Sequence, residues 1–343
     1  MAAVVTQKML TVCIPAFNMQ DYLERNVMSM VEASHAALLD ILIVDDGSTD
    51  ETLLLAQRLE GQYPGIVRCV QKDNGHYGSA VNCAMRCALG RFFKIIDADD
   101  TVDSHALDIL LEFLCGEAFE ADVVLTDYVL HFDNAQNDEE EEKYFPATNI
   151  LASGQVVDFS SLVIETQLMH AVCFRTELLQ ANGITLDERT AFTDEEFAVY
   201  PMPFVHTIGY CAAPVYRYHV GREGQSISAA QLDKTIDQNA FVTEQILSWY
   251  ESLDNGLFSQ AHFDYIAQKV CDVVVTHIRK RMIAAGSHGY KDYVRSLDER
   301  ICKDAKLKQL VRLRSLKLCR ATGYIAWDSV CREMKKHGYV LMG

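Results

Sequence analysis

The strongest constraint on this chain is an alternation in its first 130 residues. Short apolar runs end in polar clusters, and each is followed by a helix-like stretch. The runs lie at 10–17, 41–44, 66–71, 92–96 and 122–130, and the amphipathic stretches between them at 21–37, 51–59, 79–89 and 104–114. Strand and helix in alternation predict an α/β fold, a mostly parallel sheet with helices on both faces. Ligands of such sheets bind outside the carboxyl ends of the strands. The polar clusters fall at those ends: Asn18 after the first run, Asp45 and Asp46 after the second, Asp73 and Asn74 after the third, and Asp97, Asp99 and Asp100 after the fourth. One site is expected there.

At 343 residues the chain has room for about two domains, and 49% hydrophobic content supplies a core, which excludes a disordered or fibrous protein. A net charge of −17 repels polyanions and excludes nucleic acid as a main partner. The charge is uneven: from Arg279 onward sixteen Lys and Arg stand against six acids. A basic C-terminal region on an acidic body is expected either to pack on that body or to make a peripheral contact with an anionic membrane, with Leu307, Leu310, Val311 and Leu318 as the apolar side of a helix over 306–320. The eleven cysteines are scattered and odd in number, which predicts buried thiols in a reducing cytoplasm and neither a disulfide framework nor a zinc site. The N-terminal apolar run stops at Pro15 without a cleavage site, and no run of 18 apolar residues occurs, so neither a signal peptide nor a membrane span is expected. The acidic run at 133–143 reads as an exposed loop, and the pattern becomes helical from about Gln231, with Ile236, Ala240, Phe241, Val242, Ile246 and Trp249 at helical spacings. The expected domains are therefore 1–230 and a helical 231–343.

Within the strand-end clusters, ILIVDDGSTD at 41–50 places two carboxylates and Gly47, which permits a sharp turn, before a helix that Ser48 or Asp50 would cap. Asp45 and Asp46 there suit hydrogen bonds from a ribose or a base N–H. IIDADD at 95–100 packs carboxylates that repel one another unless a cation intervenes, and hard oxygen ligands suit Mg²⁺ or Mn²⁺ on a diphosphate. AFTDEEF supplies Asp194 to Glu196, where a carboxylate would take the proton of an acceptor hydroxyl. A Gly-punctuated loop at 216–228 supplies Arg217, His219, Arg222, Gln225 and Ser226, with cations to offset a leaving diphosphate.

The order of these pieces resembles the family 2 glycosyltransferases with the GT-A fold, over 10–228. TVCIPAFN matches the family's opening strand, ILIVDDGSTD its nucleotide strand, DNGHYGSAVNCAM its third-strand loop and helix, and IIDADD its DXD motif. The resemblance implies a Rossmann-like domain that binds a nucleoside diphosphate sugar, most often UDP-linked, with Mg²⁺ or Mn²⁺ on the diphosphate. Carried over, it sets Pro15, Ala16 and Asn18 beside the nucleotide, Asp46 on the uracil or ribose with Asp45 close by, and Asn74 and Gly75 around the nucleotide pocket. Asp99 becomes the leading metal contact, with Asp97, Ala98 and Asp100 serving the sugar or the metal. The family's Glu-Asp pair corresponds to Thr193 and Asp194, which makes Asp194 the catalytic base with Glu195 as its competitor. His219 and Arg222 become diphosphate contacts. The implied reaction is an inverting single displacement onto a hydroxyl of a saccharide or lipid-linked acceptor in cell-surface polysaccharide or glycolipid synthesis. The family's processive synthases carry membrane helices and a QxxRW motif, both missing from this sequence, so addition of one sugar at a time is expected, at the cytoplasmic side of the membrane and with a homodimer open to the helical region.

Three rivals are weighed against this reading. A signalling receiver domain shares a strand-end VDD but would place it after its first strand and needs a later Lys, and none lies between Lys94 and Lys143. A sugar-1-phosphate nucleotidyltransferase needs a basic Gly-rich loop where IPAFNMQDYLER stands. The third is a protein that binds nucleotide sugar without turning it over.

Overall fold

The computed structural model describes residues 7–132, 141–161, 165–221, 229–254, 256, 258–284 and 286–336, and the chain divides into two compact units, Met1–Arg222 and Glu223–Gly343. The first unit runs β1 (Leu10–Ala16), α1 (Leu23–Val31), β2 (Leu39–Asp45), α2 (Thr52–Gln62), β3 (Val67–Gln71), α3 (His76–Cys87), β4 (Phe92–Ile95), β5 (Thr101–Val102) and α4 (Ser104–Cys115). It continues with β6 (Val123–Phe132), β7 (Glu141–Phe145), β8 (Val156–Asp158), β9 (Val172–Arg175), α5 (Thr176–Ala181), α6 (Asp194–Val199) and β10 (Thr207–Val220).

The strands form one sheet in the order β3-β2-β1-β4-β9-β6-β10-β5, with β7 on β6 and β8 on β10. Pairing from β3 to β4 is parallel, and β1, β2 and β4 read as near-continuous apolar runs because both of their faces are covered. Leu10, Val12, Ile14, Ile41, Ile43, Phe92 and Ile95 are buried throughout. Beyond β4 the pairing turns antiparallel through β9 and returns to parallel only between β6 and β10. The parallel part of the sheet is therefore its N-terminal half.

The chain leaves β1 for β2 and β3 on one side and comes back to β4 on the other. β1 thus lies at a topological switch point, where the connections diverge and open a crevice at the strand ends. The register brings Ala16 level with Asp45, and Asp45 level with Gln71. The polar clusters that follow these strands consequently meet.

The structure departs from the sequence expectation at two loops. The 216–228 loop is in its first part strand: Tyr216, Arg217, Tyr218, His219 and Val220 belong to β10 and pair with β6. Part of the acidic run is also strand, since Glu141, Glu142 and Lys143 pair with β6 in β7, while 133–140 lies outside the described residues.

The second unit is helical: α7 (Ala229–Ser252), α8 (Gln260–Ile283), α9 (Lys291–Ile301), α10 (Ala305–Leu310), α11 (Arg314–Ala321) and α12 (Trp327–Lys336). Its core gathers Ile236, Val242, Ile246, Ile266, Val270, Ile278, Leu297, Leu316 and Trp327. Phe241 lies in α7 as expected and faces outward at 47% exposure. The single helix expected over 306–320 is two, α10 and α11, broken after Leu310; Leu307 and Val311 are buried, but Leu318 is 51% exposed. Much of the basic surplus is matched inside this unit, with Arg281 on Asp237, Arg300 on Glu244 and Glu251, Lys306 on Asp264 and Arg320 on Asp298. Among the described residues no helix is long and apolar enough to cross a membrane. All eleven cysteines are free thiols.

Candidate active site

At the end of β2 the backbone must turn sharply while α3 closes from above. Gly47 has φ 74°, and a Cβ there would stand 2.9 Å from the Asn74 amide nitrogen, so both the conformation and the clearance require glycine. The turn locks onto the loop after β1: the Asn18 N–H donates to Ser48 Oγ at 3.0 Å, and Asn18 Oδ1 accepts the Thr49 N–H at 2.8 Å. Asn18 takes a positive φ of 55° to do so. Ser48 thereby serves the loop, while Asp50 accepts the Thr52 N–H at 2.9 Å at the start of α2.

Asp46 follows β2 and is buried. Its carboxylate accepts Lys72 Nζ at 2.6 Å and the Gly75 N–H at 3.0 Å, and its carbonyl accepts Asn74 Nδ2 at 2.9 Å. Asn74 and Gly75 are thus tied to Asp46. Asp45 lies deeper, fully buried, with Oδ1 lacking a hydrogen-bond partner among the described residues. Of the β1 residues, Ala16 is buried and its carbonyl accepts the Asp46 N–H at 2.8 Å, while Pro15 is half-buried. Phe17, which the motif analysis passed over, is 43% exposed at this strand end and offers an aromatic face.

The 97–100 loop is clamped from two sides. From α1, the buried Asn26 amide donates to the carbonyls of Asp97 and Asp100, both at 2.9 Å, and exposed Arg25 donates to the Asp99 carbonyl at 3.0 Å. From β10, one hydroxyl does two jobs: Tyr216 accepts the Asp97 N–H at 3.2 Å and donates to Asp100 Oδ2 at 2.5 Å. The His219 N–H closes the set on Asp100 Oδ1 at 2.8 Å. β10 reaches this loop because it pairs antiparallel with β5, which directly follows it.

This clamp separates the three carboxylates expected at a metal. Asp100 is fully buried and its oxygens are engaged by Tyr216 and His219, so it braces the loop from within the fold. Asp97 and Asp99 are half-buried. Burial, and then the charge of Asp99, push the Asp97 carboxyl up to about 7, and Tyr77 donates to its Oδ1 at 2.9 Å. A pair of crowded hard-oxygen donors of this kind fits a divalent cation, which would relieve their repulsion. Among the described residues no three His, Cys, Asp or Glu side chains suffice to hold a metal alone. A cation here would draw its further ligands from a bound diphosphate. Ala98, between the two, is buried.

Asp194 begins α6, whose Phe197 packs edge-on against Phe174 with ring centroids 5.4 Å apart. The 186–189 segment ahead of it is fastened to α3: Asn82 exchanges hydrogen bonds with both backbone groups of Leu186 at 2.8 Å, and the Arg189 N–H donates to the Gly75 carbonyl at 2.7 Å. Gly78 allows this approach, since a Cβ there would fall 2.1 Å from the Asp187 carbonyl oxygen. The result brings Asp194 close enough for its charge to raise Asp97, Tyr77 and Tyr218. Asp194 and Glu195 are half-buried, whereas Glu196 is buried, accepts the Asp187 N–H at 2.8 Å and is pushed up to about 8 by desolvation.

His219 is a strand residue, its Nε2 2.9 Å from Thr101 Oγ1 and its ring edge-on to His131 at 4.7 Å, rather than a member of a free loop. Arg222, Gln225 and Ser226 lie outside the described residues. Sequence reasoning missed Asn26, Tyr77, His170 and the roles of Tyr216 and Tyr218. His170 sits edge-on to Tyr216 at 4.6 Å and stacks on Tyr218 at 5.1 Å, and its carbonyl accepts the buried Lys94 Nζ at 2.6 Å. The two-residue spacing of Tyr216 and Tyr218 was a usable signal, because a strand presents such positions on one face.

Residues 11–174 match the family described as Glycosyl transferase family 2. The chain carries a family 2 glycosyltransferase domain. The chain is 24% identical over 222 residues, 64% of its length, to the poly(ribitol-phosphate) beta-N-acetylglucosaminyltransferase TarS of Staphylococcus aureus, of which that covers 37%. It is 36% identical over 107 residues, 31% of the chain, to a chondroitin synthase of Pasteurella multocida, of which that covers 11%. The chain thus spans well under half the length of these two relatives. Among solved structures, S. aureus TarS in complex with UDP-GlcNAc superposes with a TM-score of 0.69 at 18% identity, covering 96% of this chain and 92% of that one. The mannosyltransferase PcManGT of Pyrobaculum calidifontis, in complex with GDP-Man and Mn²⁺, gives 0.54 at 17% identity, covering 96% and 88%. The fold of the family 2 domain is GT-A.

Proposed function

We propose that this protein is an inverting glycosyltransferase that moves a single sugar from a nucleoside diphosphate sugar, UDP-linked, to a hydroxyl acceptor in cell-surface polysaccharide or glycolipid synthesis. The observation that supports the reading is that Asp99 and Asp194 both lie near enough to Asp97, just past the end of β4, for their charges to raise its carboxyl. TarS and the mannosyltransferase were solved with UDP-GlcNAc and with GDP-Man and Mn²⁺, which supports a nucleotide sugar as the partner.

In this mechanism Phe17 offers a stacking face to the base, and Asp46, with lone pairs beyond those used by Lys72 and Gly75, accepts from the base or ribose. Asp97 and Asp99 would hold Mg²⁺ or Mn²⁺, which when bound offsets the negative charge gathering on the departing diphosphate. Tyr216 and Asn26 keep those carboxylates aimed into the crevice by fixing the loop backbone. Asp194 takes the proton of the acceptor hydroxyl as its oxygen attacks the anomeric carbon from the face opposite the leaving group. The C–O bond to the diphosphate breaks as the new glycosidic bond forms, which inverts the centre. Glu196, buried and engaged by the Asp187 N–H, is placed to hold α6 rather than to take that proton.

The test is a thermal-shift panel of UDP, GDP, dTDP and CDP with and without Mn²⁺, since a ligand that binds only the folded state raises its melting temperature. The reading predicts a Mn²⁺-dependent shift with UDP that Asp99→Ala abolishes. The absence of a shift with every nucleotide would overturn it.

A further inference from the structure

The helical unit contains an acid-free stretch, 305–327, in a chain whose net charge is −17. Two of its six cations are used internally, Lys306 on Asp264 and Arg320 on Asp298. The other four, Lys308, Arg312, Arg314 and Lys317, are exposed and have no carboxylate within ion-pair distance among the described residues. They differ in this from Arg281 and Arg300, which find partners on α7.

Their spacing is that of helix faces. Lys308 lies on α10 and Arg312 in the link that follows it, and Arg314, Lys317 and Leu318 recur at the i, i+3, i+4 spacing along α11. Behind this side, Leu307, Val311, Leu316 and Cys319 are buried and fasten the two helices to the unit. Two aliphatic side chains of the same stretch are bare: Leu318, one position after Lys317, is 51% exposed, and Ile325, in the turn after α11, is 87% exposed.

A solvated helix face explains the cations but gives no reason for a bare Ile and Leu among them. A soluble polyanion would pair with the cations and leave the aliphatic tips in water. An anionic bilayer satisfies both, because headgroups pair with Lys and Arg while aliphatic tips enter the boundary between headgroups and acyl chains. We propose that the 305–327 face docks this protein peripherally on an anionic bilayer surface. The proposal stands independently of the transferase reading, since its readout is binding to lipid.

The experiment is cosedimentation of the full chain with phosphatidylcholine vesicles, with and without phosphatidylglycerol, at low and high salt, with inorganic polyphosphate as a second probe. The protein should sediment only with the anionic vesicles. The triple variant Lys308→Glu, Arg314→Glu, Lys317→Glu should lower the partition by about tenfold or more, on the scale of surface attraction per basic residue. Leu318→Ser with Ile325→Ser should weaken vesicle binding at both salt concentrations while leaving polyphosphate binding intact; should the charge variant misfold, this pair alone decides. Absence of sedimentation at low salt overturns the proposal. So does vesicle binding that the aliphatic variant leaves unchanged, which would mark the face as a polyanion site.

Discussion

At the residue scale the proposed site turns on which carboxylates stay half-exposed, as Asp97 and Asp99 do, and which are buried in the fold, as Asp100 is. Tyr216 makes that division, because its hydroxyl satisfies both the Asp97 N–H and Asp100 Oδ2. Tyr216→Phe leaves two buried polar groups without a partner and is expected to cost about 1–3 kcal/mol in stability. It should also weaken the Mn²⁺-dependent nucleotide shift; chemical denaturation and the thermal-shift panel read the two effects separately. Asp194→Asn should keep that shift while lowering turnover by about 10²–10⁴-fold, the range of general-base catalysis. Glu196 gives a pH signature. Its folded carboxyl titrates at about 8, above its ordinary 4.5, so the folded state holds the additional proton between those values. Its stabilising contribution is complete below 4.5 and is lost as pH rises through 8. Urea denaturation across this window should show a decline in stability that Glu196→Gln flattens. The strand-end positions of Asp46, Asp97 and Asp99 were legible in the sequence because the acidic clusters that hold them follow apolar runs. The burial of Asp100 was not, because it depends on a tyrosine more than a hundred residues away.

At the element scale the legible part was the parallel one. Runs such as LTVCIPA and LDILIVD announce strands buried on both faces, and their order fixes the crevice. β10 was harder, because the polar YRYHV segment resembles a loop until β6 and β5 supply its pairing. The break between α10 and α11 carries no Gly or Pro, so local pattern gives no signal for it. The placement of α6 depends on close packing of α3 against the 186–189 segment, which no motif spells out. Gly78→Ala should therefore act at a distance. Its methyl would fall 2.1 Å from the Asp187 carbonyl oxygen, so the segment leading to Asp194 must shift. A lowered melting temperature and a larger loss in kcat than in nucleotide binding are expected, the latter because Asp46 and the 97–100 loop are held by other contacts. Equal turnover in this variant and the parent would show that the packing of α3 does not position the base.

At the scale of the whole molecule two compact units divide the labour in different currencies of sequence information. The first carries motifs and belongs to a described family; the second carries only helical periodicity and charge, which predict helices without naming a role. Its basic surplus, read along the chain, is partly cancelled once the ion pairs with α7 and α8 form, and 305–327 is a stretch where cations stand without any acid in the sequence. The central claim concerns the first unit: one crevice binds the donor and holds the base. The most direct measurement is release of UDP from a panel of UDP-sugars by the wild-type protein and by Asp194→Asn, with donor binding followed in parallel by thermal shift. The account predicts that both proteins bind the same donor with Mn²⁺ and that the variant releases UDP at least about a hundredfold more slowly. Release at the wild-type rate by Asp194→Asn, with donor binding intact, would contradict it.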